Sequence, residues 1–332
     1  MEKVLVTGGA GYVGSTLVPR LLDEGFAVRV LDCLLYGKES LLSVAANENF
    51  ELFKGRIENR ETVEEAVKGV DSIIHLADLS NDPACALNPK LSLRIVQDGT
   101  DLLLDCAKKA GVRRFIYASS CSVYGNSTKK NLTEEIKPDP VSLYSEMKAR
   151  NEKAVLASDS KDFDACCLRK ATLCGYSPRL RFDLVVNIMT AHAVRTGSIL
   201  VLGEGLWRPN MFVGDAAEGY LAFLKAKQGK VKGQVYNFGG NNLNHSILEI
   251  AKIVQSSVPG SVIRKDKTND LRSYHLCFDK VKREIGFEPK HDVKHAVLTV
   301  KRALLNNMVS NFKDPLYTNV KQMVSTGFAD DA

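Results

Sequence analysis

The chain has 332 residues, 45% of them hydrophobic and 25% charged, with a net charge of +6. These are the proportions of an ordinary soluble globular protein, long enough for two lobes. The charges are spread along the chain, so there is no basic arm for nucleic acid, and the mild positive excess fits a phosphorylated substrate only weakly. No apolar run reaches the roughly 18–20 residues of a membrane span, and the opening Lys3-Val4-Leu5-Val6-Thr7-Gly8-Gly9 reads as a strand and a turn, not as a targeting segment. The eight cysteines form no pair with zinc spacing. They read as reduced thiols of a cytoplasmic protein, and no metal is expected.

In chain order, strands are expected at residues 3–7, 27–32, 51–54, 72–76, 115–118 and 165–169. Helices are expected at 15–24, 61–68, 98–110 and 143–157. Near-continuous apolar strands separated by helices predict a parallel sheet covered on both faces. The second half is less regular: helices near 184–194, 215–227, 246–257, 279–285 and 293–306, and a strand at 234–238. The fold class is therefore α/β, a Rossmann-type doubly wound parallel sheet with a smaller C-terminal substrate-binding lobe. Residues 1–168 form the NAD-binding domain, completed by about 207–237; residues 169–206 and 238–332 form the other lobe. Residues 307–332 carry no strong pattern and are expected to be partly mobile.

The first strand runs into Gly8-Gly9-Ala10-Gly11-Tyr12-Val13-Gly14 and then a helix. Glycine is needed where a backbone turns tightly beside a diphosphate, and a helix N-terminus offers that anion free N–H groups. The spacing Gly8-x-x-Gly11-x-x-Gly14 differs from the commonest dinucleotide fingerprint, but its strand–turn–helix–strand context fits. Asp32 ends the second strand, where an acid can accept the adenosine ribose 2′-hydroxyl and repel a 2′-phosphate, favouring NAD over NADP.

Tyr144-Ser145-Glu146-Met147-Lys148 places a tyrosine and a lysine at i and i+4 on one helix face. A tyrosine near its ordinary pKa of about 10 is a poor base at neutral pH, and a neighbouring ammonium favours the phenolate. Upstream, Ser119-Ser120-Cys121-Ser122-Val123-Tyr124-Gly125 follows a strand, at the edge of a parallel sheet where ligands sit.

Together, the glycine turn, Asp32, His75-Leu76-Ala77, the serine loop and Tyr144-x-x-x-Lys148 resemble the extended short-chain dehydrogenase/reductases. The nearest branch is the NAD-dependent epimerase/dehydratase family, of the sugar-nucleotide 4-epimerase kind. The resemblance implies catalysis by Ser120, Tyr144 and Lys148, with Ser122 the second candidate for the serine. It implies NAD contacts at Gly8, Gly11, Tyr12, Val13, Gly14, Asp32, Ile57, Leu76 and Ala77, besides Tyr144 and Lys148. It implies a nucleotide-diphosphate sugar as substrate, held by Ser122, Asn187, Arg208 and Arg272, with Arg179 and Arg181 as rivals. It also implies a homodimer formed through helices 98–110 and 143–157. Three positions depart from the family pattern: Arg56 lies in Gly55-Arg56-Ile57 where an acid is common, Val96 replaces an asparagine, and Asp78 replaces a small residue.

The family's 4,6-dehydratases carry an Asp-Glu pair directly after the catalytic hydroxyl residue. Cys121 and Ser122 stand there instead, which argues against dehydration. In 3,5-epimerising members a cysteine lies two residues before the loop tyrosine. That place holds Ser122, and Cys121 reads as a small space-filling residue. What remains is epimerisation by transient oxidation at C4 through a 4-keto intermediate. The alternatives are a one-way NAD(P)H-dependent 4-ketoreductase and, in a different class, an NAD(H)-binding regulatory protein without turnover.

Overall fold

The computed structural model describes residues 1–270 and 272–330. Its first half runs β1 (Lys3–Thr7), α1 (Gly14–Asp23), β2 (Ala27–Asp32), β3 (Phe50–Lys54), α2 (Arg60–Ala66), β4 (Ser72–His75), α3 (Asp82–Leu87), α4 (Pro89–Leu93), α5 (Gly99–Lys109), β5 (Arg114–Ser120), α6 (Leu143–Ser158) and β6 (Asp164–Lys170). The second half continues with β7 (Thr172–Cys174), α7 (Val185–Thr196), β8 (Ser198–Leu202), β9 (Trp207–Phe212), α8 (Val213–Lys225), α9 (Gln228–Val231) and β10 (Gln234–Phe238). It ends with β11 (Asn244–Ser246), α10 (Ile247–Ser257), β12 (Val262–Asp266), α11 (Asp279–Ile285), α12 (Val293–Leu305) and α13 (Asn319–Ser325).

Seven strands form one sheet in the order β10-β6-β5-β4-β1-β2-β3, every pair parallel. This is the expected Rossmann-type sheet. Alternate residues of each strand serve opposite faces. Val4 and Val6 pack with Leu17, Leu21, Ala217 and Leu221 of α1 and α8. Leu5 packs on the other side with Val63, Leu103 and Met147 of α2, α5 and α6. The strand order reverses between β1 and β4, and ligands of such sheets bind outside the carboxyl ends of the strands at that point.

The smaller lobe has two short sheets, β11-β9-β7 and β12-β8, and a separate core of Val186, Met189, Ile250, Val254 and Val297 from α7, α10 and α12. Within 207–237, α8 packs on α1 and β10 pairs with β6, whereas β9 belongs to a small sheet. The strands in this lobe were not expected. They are three to six residues long, Pro209 and Asn210 interrupt the pattern of β9, and β12 carries Arg264, Lys265 and Asp266.

The expectation for residues 307–332 is corrected over 307–330, while 331–332 lie outside the described residues. α13 buries Asn319 and Met323, Phe182 N–H donates to the Tyr317 carbonyl at 2.8 Å, and Gln322 Nε2 donates to the Leu35 carbonyl at 2.9 Å. The helix is too short to show a period, and these ties are all distant in sequence. The start of the helix expected at 98–110 is also altered, because Arg94–Asp98 forms a π-turn ahead of α5. There the Val96 carbonyl receives Thr100 Oγ1 at 2.6 Å and Asn151 Nδ2 at 2.7 Å. At position 96 it is therefore the backbone that makes the polar contacts, while the valine side chain is buried. No helix among the described residues is long and apolar enough to cross a membrane.

Candidate active site

A cavity of about 780 Å³ opens at the carboxyl ends of β1, β2, β4, β5 and β6, with α7, β8 and the start of α10 closing it from the smaller lobe. Gly8, Gly11, Tyr12, Val13 and Gly14 line it. Gly8 has φ +71°, and a Cβ there would lie 2.8 Å from the Ala77 nitrogen, so the turn sits directly on the end of β4. No side chain caps α1, which leaves its first N–H groups for an anion. Asp32 lines the same wall, its carboxylate accepting from Ala10 N–H at 2.9 Å and Leu34 N–H at 2.8 Å. Burial raises its pKa, and those two N–H groups oppose the rise. Ile57, Leu76 and Ala77 are on the wall as well.

α6 begins at a capping box in which Ser142 and Ser145 bond reciprocally, and this fixes the first turn, which carries Tyr144. Tyr144 and Ser120 both face the cavity, and the Ser120 hydroxyl works to lower the pKa of the phenol. Ser122 also lines the wall, but its hydroxyl is turned to Ser120, donating to Ser120 Oγ at 2.9 Å. Lys148 lies one turn along from Tyr144, behind the wall. Its Nζ donates to the Ala118 carbonyl at 2.8 Å and stands 4.6 Å from the centre of the Tyr117 ring. Burial foremost, then the Asp78 carboxylate, pushes the Tyr144 phenol well above its usual value; Lys148 and Ser120 act in the opposite direction. His75 ties the end of β1 to α5, Nδ1 to Thr7 Oγ1 at 2.7 Å and Nε2 to Thr100 Oγ1 at 3.0 Å. Cys121 is buried, its thiol donating to the Arg169 carbonyl at 3.0 Å, and burial raises its pKa. It packs as the small residue expected.

The substrate-side residues divide. Arg208 and Arg272 reach the cavity, but each is held by acids. Arg208 Nη2 lies 3.2 Å from Asp270 Oδ2; Arg272 pairs with Asp270 at 2.6 Å and with Asp82. Though burial opposes it, Arg272 above all lowers Asp270 to about 2. Arg181 is paired with Asp183 at 2.8 Å. Asn187 does not come to the cavity. It is fully buried, accepts from Gly175 N–H at 2.8 Å and donates to the Arg181 carbonyl at 2.9 Å. It braces the loop between β7 and α7, and the expected substrate contact is corrected on that ground.

Sequence reasoning gave too little weight to four features. Arg179, on the wall, stacks on Tyr36 at 3.6 Å and donates to Asn319 at 2.8 Å. It has no carboxylate partner among the described residues, and its Nε is unsatisfied. Lys170 ends β6 in register with Ser120; its Nζ donates to the Ser119 carbonyl at 3.1 Å. Burial, and next the Lys148 ammonium, lower it to about 7. Asn319 and Phe328 bring the C-terminal segment to the cavity, where Phe328 lies under the Arg56 guanidinium at 4.7 Å. Asp78 is also on the wall, its Oδ2 2.7 Å from Lys148 Nζ. Lys170 showed in the sequence only as a single charged residue beside an apolar strand end, and Asp78 only as a departure from the family pattern.

A glycine turn that a Cβ would fill, an uncapped helix start and a buried carboxylate on the second strand together fit a dinucleotide. Comparison with known proteins gives the same cofactor class. UDP-glucuronic acid decarboxylase 4 of Arabidopsis thaliana is 32% identical over 98% of this chain and 71% of its own length. Two solved structures superpose closely. A dTDP-glucose 4,6-dehydratase from Streptomyces venezuelae, solved with NAD, is 26% identical with a TM-score of 0.83, covering 95% of this chain and 99% of that one. A UDP-glucose 4-epimerase from Thermotoga maritima, solved with UDP-glucose, is 25% identical with a TM-score of 0.82, covering 92% and 100%. These relatives differ in reaction, so the reaction has to be argued from this chain's own residues. The family model for the NAD dependent epimerase/dehydratase family matches residues 4–239: the chain belongs to that family, and NAD is its cofactor.

Proposed function

We propose that this protein is a nucleotide-sugar epimerase that inverts a carbinol, C4 of a nucleotide-diphosphate sugar, through a keto intermediate. The observation that carries the reading is Tyr144 and Ser120 together on the cavity wall, with no carboxylate at Cys121 or Ser122 to drive elimination. NAD, when bound, takes up the hydride and returns it. Tyr144 accepts the hydroxyl proton as the carbon is oxidised and gives it back on reduction. Ser120 hydrogen-bonds the reacting oxygen, and Lys148 stabilises the phenolate. Asp32 accepts the adenosine ribose hydroxyls, and the glycine turn with Ile57, Leu76 and Ala77 seats the rest of the dinucleotide. Arg208 and Arg272 grip the substrate diphosphate, with Arg179, which makes no ion pair among the described residues, a third cation for a phosphate. The expected Tyr144→Phe outcome is a fall in kcat of about 10²–10⁴ with NAD affinity unchanged; a variant with wild-type kcat would remove the tyrosine from the mechanism.

A second reading is favoured by Lys170 and by the likeness to UDP-glucuronic acid decarboxylases. A lysine on the wall that makes no ion pair with a carboxylate among the described residues suits an acidic sugar. Oxidation at C4 of a uronate makes a β-keto acid, which loses CO₂. Turnover of a nucleotide uronate with release of CO₂ would select this reading; a uronate inverted at C4 with its carboxylate intact would select the first. For assembly we propose a homodimer through α5 and α6, which pack side by side, to be checked by solution mass. We place the protein in the cytoplasm, in keeping with its eight free thiols.

A further inference from the structure

Asp78 lies three residues past the end of β4 and stands between the cavity and Lys148. The Asp78 side chain is 4% exposed and that of Lys148 is 2% exposed, with 2.7 Å between Nζ and Oδ2. Asp78 is on the cavity wall and Lys148 is not. Apart from this ion contact neither Asp78 oxygen has a well-directed hydrogen bond. The family pattern commonly has a small residue here, which would leave the ammonium facing the cavity. Lys148 is also the cation nearest the Tyr144 ring, 5.8 Å from its centre.

We propose that Asp78 is a positioning residue that balances the charge of Lys148, holding the ammonium and opposing loss of the Tyr144 proton, so that the base form of Tyr144 that begins the oxidation forms at higher pH than it would beside an unpaired ammonium. A lone ammonium favours a phenolate; an ammonium in contact with a carboxylate presents the phenol with a dipole, whose field falls off faster than that of a charge. Burial is the largest influence and works against the Lys148 ammonium, yet Asp78, with Tyr144 and Tyr220 adding to it, holds the lysine above its ordinary value. The other groups around the pair do not replace this effect. His75 on β4 is kept neutral, and Cys85 on α3, Tyr117 on β5 and Tyr220 on α8 are kept protonated, each chiefly by burial. Asp82 on α3 acts on Tyr144 in the same sense as Asp78, as the smallest influence. Lys170 on β6 couples to both members of the pair.

The proposal rests on Tyr144 being the proton carrier, and its test does not require the sugar to be known. The ultraviolet phenolate absorbance of the NAD-loaded protein is titrated with base in wild type, Asp78→Asn and Asp78→Ala. The matching Tyr144→Phe protein is subtracted each time, and the series is repeated in a Lys170→Met background. The Tyr144 phenolate should form at least about one pH unit earlier in the two neutral variants, a tenfold change in proton affinity. Asp78→Glu should move it back toward wild type. Coincident curves, or a later onset in the variants, would overturn the proposal. Where a substrate is turned over, the acid limb of the kcat profile should move down with the phenolate. Absence of turnover on every nucleotide sugar would count against the proposed reaction and leave the titration decisive for Asp78.

Discussion

Gly14→Ala tests the cofactor cradle most sharply. A Cβ on Gly14 would sit 2.4 Å from both Cα and O of Gly9 and 2.6 Å from O of Gly8. All three atoms are backbone, so no side chain can swing aside and the turn itself must open. Overpacking of that kind costs about 1–3 kcal/mol in stability. The larger consequence is for the diphosphate, because N–H groups at the start of α1 would move. A hydrogen bond to a charged group contributes about 1.5–3 kcal/mol, so misplacing even one weakens NAD roughly ten- to hundredfold. Calorimetric titration of the apo-protein with NAD reads this directly. Gly229→Ala serves as the control, because a Cβ there meets nothing within 4 Å, and NAD affinity should be unaffected. A folded Gly14→Ala protein that binds NAD as tightly as wild type would refute the tight-turn account.

Asp32→Ala should weaken NAD and relax the discrimination against NADP, since the carboxylate on the cavity wall is lost; equal NAD and NADP affinities in the wild type would already contradict its role. Arg272→Ala should raise KM for the nucleotide sugar at least about tenfold, as charged hydrogen bonds are lost, with NAD binding unchanged; loss of NAD binding instead would put that arginine in the cofactor site. His75 should show in acid stability. Burial, with Lys148 adding to it, lowers the imidazole from 6.5 to about 3. The unfolded chain therefore takes the proton first, so the stabilisation is complete above 6.5 and is lost as the pH falls through about 3. Chemical denaturation between these limits should show wild-type stability falling up to about 1.4 kcal/mol per pH unit more steeply than that of His75→Gln, and parallel slopes would contradict the buried neutral histidine.

The large sheet was legible because most of its strands are buried and most of its helices have one apolar side, so period and composition agree there, whereas α3 and α4, six and five residues long, are too short to show a period and were not expected. Tyr144 and Ser120 were legible for a related reason: a loop after a parallel strand and one face of a helix can meet only at the carboxyl edge. Asn187 misled, since a polar residue near a helix start reads equally well as a ligand contact or as a brace for its own loop, and only the partners at Gly175 and Arg181 separate the two. The C-terminal segment was illegible because its ties, Tyr317 to Phe182 and Gln322 to Leu35, span long stretches of sequence and leave no period. Asp78 was noticed as a departure from the pattern, but its pairing with Lys148 depends on how far the helix stands from the end of β4, which no local pattern encodes.

In the proposed reaction Tyr144 and Ser120 serve a reversible hydride exchange at a sugar carbinol. The most direct measurement is proton NMR of the NAD-loaded protein in D₂O with UDP-, GDP-, CDP- and dTDP-sugars and the corresponding uronates. One of them should be converted to its C4 epimer with no net NADH formed and with the C4 hydrogen kept rather than exchanged for deuterium, because it is carried as hydride and returned. Loss of the C4 hydrogen to solvent, or a product of water elimination, would contradict it.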